Sequence, residues 1–99
     1  MFGVLVCEAC RLTLTLGDAI RRPSGEVIAF DGALEKPVDG ELPELTRALW
    51  KFLADHVGHR LRVASNWDDD FEELAGYVEI GGDELDDIPF EEYLDGWPG

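Results

Sequence analysis

Every cysteine and every histidine in this 99-residue chain falls in one of two pairs: Cys7 and Cys10 in "LVCEAC", and His56 and His59 in "WKFLADHVGHRLRV". Each pair brackets two residues, and 45 residues lie between Cys10 and His56. A chain this short closes one core of modest stability unless something clamps it. If the two pairs are to meet, the fold must carry the start of the chain to the end of whatever element bears the histidines.

Local patterning supplies the elements. "MFGVLV" is a short apolar run, and in "RLTLTLG" Leu12, Leu14 and Leu16 alternate with polar residues at period two. That is the mark of a half-buried strand, which Gly17-Asp18 would end. "AIRRPSGEVIAF" sets a Pro-Ser-Gly turn between two β-compatible segments, a second hairpin. Residues 31–42 contain Gly32, Pro37 and Gly40 without periodicity and read as a loop. From Pro43 to Val57, residues Leu45, Ala48, Leu49, Phe52 and Leu53 recur at helical spacing. Proline favours a first turn there, and Gly58 is a natural stop. "LRVAS" at 61–65 reads as a strand, "NWDDDFEELAGY" as a short helix capped by Asn66 or an aspartate, and "YVEI" as an additional strand.

The expected fold class is therefore α+β. A small antiparallel sheet, made of the N-terminal hairpins and the strand near 61–65, packs on one main helix at about 43–57. Short helical elements fill the acidic C-terminal third. Residues 1–99 form a single domain in this reading, ending in an acidic, aromatic tail at 83–99 that can be partly flexible.

At 100° per residue, Leu45, Leu49 and Phe52 lie within about 60° of one another, and His56 falls in the same arc. His56 should face the core, with His59 in the turn that feeds the next strand. A two-residue gap lets a tight turn aim two sulfurs at one point, and zinc takes four thiolate and imidazole ligands in a tetrahedron. Cys7, Cys10, His56 and His59 are thus candidate ligands of one metal ion, zinc first. Two thiolates would make the site neutral, and four protein ligands would leave no position for water, so its role would be structural.

A CxxC hairpin followed by a helix with histidines near its C-terminus resembles the Cys2His2 zinc finger and, more loosely, zinc ribbons. The resemblance covers only Cys7, Cys10, His56 and His59. It departs from fingers in the 45-residue separation, where about 12 is usual, and in the short histidine gap. It implies metal binding and not DNA binding, because the helix offers Arg47 and Lys51 against Glu44 and Asp55 with no basic stripe. Each pair also has plainer readings, as core residues or as free thiols. A redox or metal-dependent enzyme using Cys7 and Cys10 is the competing function, although a strand-like "RLTLTL" follows the cysteines where thioredoxin-type sites have a helix.

Charge adds the second constraint. Residues 1–62 carry nine acids and eight bases, whereas residues 63–99 carry thirteen acids and no lysine or arginine. The net charge of -14 therefore sits almost entirely in the last third, which disfavours a whole-surface adaptation to salt and disfavours nucleic acid as a partner. In "DIPFEEYLDGWPG", Phe90, Tyr93, Leu94 and Trp97 recur at three- or four-residue steps, so a helical turn begun near Pro89 would form an apolar stripe. That stripe either docks on the chain's own core or enters a partner's groove.

No apolar run is long enough for a membrane span, no signal-peptide pattern opens the chain, and no HExxH, P-loop or GxSxG motif is present. The expectation is a cytoplasmic, non-catalytic, zinc-stabilised protein. It would bind a basic protein surface through its acidic third, as acidic inhibitors, immunity proteins and DNA mimics do, using Asp86, Asp87, Phe90, Glu91, Glu92, Tyr93 and Trp97.

Overall fold

The computed structural model describes residues 1–34, 43–82 and 84–98. Along the chain run β1 (Phe2–Cys7), β2 (Leu12–Arg21), β3 (Val27–Phe30), a 3-10 turn (Asp31–Leu34), α1 (Glu44–Asp55), β4 (Leu61–Ser65), α2 (Phe71–Leu74), β5 (Val78–Ile80) and α3 (Phe90–Leu94). Most of the loop expected at 31–42 lies outside the described residues.

The sheet is mixed. Strands β3, β2, β1 and β4 follow one another as antiparallel neighbours, and β5 adds to β2 in parallel. β1 is central and buried on both sides, which explains why "MFGVLV" is continuously apolar rather than alternating. Its Leu5 and Cys7 join Leu14, Leu45, Ala48, Phe52, Ile80 and Leu94 in the larger core cluster. Its Val4 and Val6 face the other way, onto Ala64 and Leu74. Helices α1 and α3 thus contribute to one face, and the single turn of α2 to the other.

Gly17-Asp18 does not end the second strand. β2 runs through to Arg21, because Gly3 pairs with Gly17 while Val4 pairs with Thr15, leaving Leu16 as an extra residue. The bulge bends β2 so that Leu12–Leu14 pair with β1 and β5, while Ala19–Arg21 pair with β3. Gly17 takes φ 92° at this point, a conformation that glycine adopts freely. The Asp31 carboxylate braces it by accepting the Asp18 backbone N–H at 2.8 Å.

Of the two caps expected for the short acidic helix, an aspartate holds the position and Asn66 does not. Asn66 accepts the Phe2 N–H at 2.8 Å, and Asp70, at the cap position of α2, makes no side-chain cap bond. Asn66 thereby anchors the start of β1 instead of opening a helix.

Candidate metal centre

The register of the central strand brings the two pairs together. Cys7 is the last residue of β1, where it lies opposite Leu12 of β2 and Leu61 of β4. The turn leaving β1 and the turn entering β4 must therefore sit side by side at one end of the sheet. Cys10 stands in the first turn and His59 in the second. His56 caps the C-terminus of α1, and a backbone bond from the His59 N–H to the His56 carbonyl, 2.9 Å, folds the chain back between them. Gly58, with φ 85°, permits that reversal.

His59 Nδ1 lies 3.4 Å from Cys7 Sγ, 3.5 Å from Cys10 Sγ and 3.4 Å from His56 Nδ1. An imidazole Nδ1 carries either one hydrogen or one lone pair, so it can satisfy one of these three neighbours by hydrogen bonding and not all of them. A tetrahedral zinc with bonds of roughly 2.0–2.3 Å, by contrast, has edges of about 3.3–3.8 Å between its ligand atoms. The three separations match the length of such edges, and the four candidate ligand atoms all lie within 4.8 Å of one another. These four side chains could hold a metal ion.

The site straddles the surface. Cys7 and His56 are buried, and Cys10 and His59 are exposed. Burial, and then the neighbouring His59, lowers the His56 imidazole below its ordinary value of 6.5, which favours the neutral ring that a metal requires. Desolvation, followed by the hydrogen bond and charge of Cys7, pushes the Cys10 thiol up. Two thiols this close resist sharing two negative charges unless a cation lies between them. Phe52, fully buried, packs its ring 4.2 Å from that of His56 and fixes the imidazole from the core side.

The C-terminal residues named from the sequence divide into two groups. Phe90, Tyr93 and Trp97 are half-buried against the larger core cluster, so the stripe lies on the chain's own core. Asp87 is half-buried too, and its carboxylate accepts the backbone N–H groups of Glu79 at 3.0 Å and Glu84 at 3.1 Å. Asp86, Glu91 and Glu92 are exposed. Sequence reasoning missed what Tyr93 does: its hydroxyl donates to Asp55 at 2.8 Å, and its ring lies under Lys51 Nζ, 4.0 Å from the centroid. Half of that cluster was legible, since Lys51 and Asp55 stand four apart on one helix and pair at 2.8 Å.

Comparison of the chain with protein-family models, with curated proteins and with solved structures finds no match. Among the described residues, no helix is long and apolar enough to cross a membrane.

Proposed function

We propose that this is a metal-stabilised protein in which Cys7, Cys10, His56 and His59 hold one zinc ion, and that its acidic C-terminal third binds a basic partner protein. The observation that carries the first part is the trio of contacts at His59 Nδ1, three neighbours at 3.4–3.5 Å around an atom that can hydrogen-bond to one. A bound zinc would supply a cross-link between the first hairpin and the end of α1. Two thiolates and two neutral imidazoles match its charge and its preference for four ligands. With every coordination position filled by protein, the ion would stabilise the fold and activate no water.

The second part is supported by the placement of charge. Asp86, Glu91 and Glu92 point to solvent in a region that carries no lysine or arginine. With the aromatic stripe packed inward, the outward face is one of carboxylates, a surface that attracts cationic proteins and repels phosphate.

Native mass spectrometry with elemental analysis tests the reading. About one zinc per chain, released by chelator together with two titratable thiols, supports it. Metal-free protein with two freely reacting thiols favours the competing thiol chemistry, whose one favourable feature is the exposure of Cys10. Against that competitor, Cys7 ends β1 and Cys10 stands in the turn into β2, so no helix N-terminus of the kind that lowers a thioredoxin-type thiol begins at either cysteine.

A further inference from the structure

The two faces of the sheet are unequally covered. On the face bearing Val4 and Val6, the only helix among the described residues is the four-residue α2, and the buried cluster there is half the size of the one opposite. A cleft of about 810 Å³ opens there, between α2, β5 and the segment at 84–87. This is within the range of sites that take a ligand or several side chains.

The cleft has two kinds of wall. Phe71, Leu74, Tyr77 and Val78 form an apolar side, with Thr13, only 3% exposed, beside them. Each charged residue in the lining is acidic: Glu79, Glu84, Asp86 and Asp87. Asp87 holds the rim in place through its two backbone bonds, and Glu84 and Asp86 are exposed along it. Between them Leu85 projects into solvent at 99% exposure, an apolar side chain left uncovered by the described residues.

We propose that this cleft is the docking groove for an arginine-bearing segment of a basic partner protein. The inference rests on the acidic-surface reading above and gives it a location. Arginine fits both walls at once. Its aliphatic stem lies along apolar surface, its planar guanidinium stacks on aromatic rings, and its donor fork pairs with carboxylates. The Tyr77 ring already accepts one guanidinium in this way, that of Arg11, 5.2 Å from its centroid and outside the lining of the cleft. A lysine ammonium, compact and strongly hydrated, would gain from the rim alone. Leu85 would be covered by the arriving chain.

The test uses the metal-loaded full chain and a fluorescein-labelled oligoarginine peptide, with oligolysine as comparison, read by fluorescence anisotropy at low and high salt. The double variant Glu84→Gln with Asp86→Asn should weaken oligoarginine binding about tenfold, as expected for two ion pairs in a partly desolvated cleft. Glu91→Gln with Glu92→Gln removes the same charge from the part of the acidic surface outside the cleft and should weaken binding only about threefold, clearly less than the cleft variant. Leu85→Ser should weaken the binding that persists at high salt. All substituted residues are exposed, and unchanged thermal unfolding of each variant verifies the fold. Equal losses from the two double variants, or oligolysine binding as tightly as oligoarginine, would overturn the groove and leave the acidic-surface reading intact. No binding of either peptide at low salt would overturn both.

Discussion

Tyr93 in α3 donates its hydroxyl hydrogen to the carboxylate of Asp55 at 2.8 Å, and Asp55 is the residue directly before the ligand candidate His56. The last helix of the chain is therefore tied to the same turn of α1 that presents the imidazole. Removing the hydroxyl should be felt in stability without touching the metal. Tyr93→Phe is expected to cost about 1 kcal/mol, the loss of a hydrogen bond to a partly exposed carboxylate, with zinc content unchanged by elemental analysis. Burial first, then the Asp55 carboxylate, pushes the Tyr93 phenol well above its ordinary range. Ultraviolet titration should accordingly find Tyr93 ionising later than a free phenol, and Asp55→Asn should bring its ionisation to lower pH.

Zinc should act as a large stabilising ligand. At about a hundredfold excess over the dissociation constant, linkage gives about 2.7 kcal/mol, or roughly 10–20 °C in Tm for a chain of this size. Calorimetry with and without chelator measures that gap. Cys10→Ser should abolish it, and the exposed position of Cys10 makes this a cleaner test than a change at buried Cys7.

Acid should destabilise the metal-free protein through His56. Its folded-state pKa is depressed below 6.5 by burial, then by His59, so the unfolded chain takes up the proton first as pH falls. The stabilisation is present above the ordinary histidine value and is lost as pH drops through the lower, folded value. Denaturant unfolding from neutral to mildly acidic pH should show this slope, and His56→Gln should flatten it. Metal-loaded protein should release its ion over an overlapping range, since protons compete for both thiolates and imidazoles.

Arg11 is the one non-glycine described residue with positive φ, at 55° in the turn that carries Cys10. Arg11→Gly relieves the backbone and loses the contact with Tyr77, whereas Arg11→Ala loses the contact and keeps the strain. The glycine variant should be the more stable of the two by about 1 kcal/mol in urea unfolding.

Gly17→Ala should be costly. A Cβ there would overlap the Asp31 carboxylate that braces the bulge, and φ 92° disfavours any side chain. A loss of roughly 2 kcal/mol is expected by thermal unfolding, with the metal site retained at the other end of β2.

Much of the architecture could be read from local pattern because the signals were periodic. The spacing of Leu45, Ala48 and Phe52 located α1, and the same arc placed His56 on its buried side, where it is 5% exposed. The convergence of the two ligand pairs was only a coincidence of composition until the Cys7–Leu61 pairing supplied its cause, and strand register across so long a gap leaves no local trace. Gly17-Asp18 misled because a glycine marks a bulge as readily as an end. Asn66 misled because its partner, the Phe2 N–H, lies 64 positions away. Tyr93 carried two legible properties, aromatic and polar, and only packing decides which of them a partner would meet.

The pairing of Cys7 with Leu61 also has a kinetic meaning. A zinc finger closes its site over a short loop, so the ion can organise the chain early. Here the candidate ligand pairs meet through the β1–β4 pairing and the end of α1, and bringing them together before those elements pair costs about 1 kcal/mol more than over a finger's short loop. Metal capture would then follow the folding barrier, so raising the zinc concentration should leave the refolding rate nearly constant and slow unfolding instead. Such an ion acts as a latch on a finished molecule, setting how long the native state survives and not how quickly it is reached.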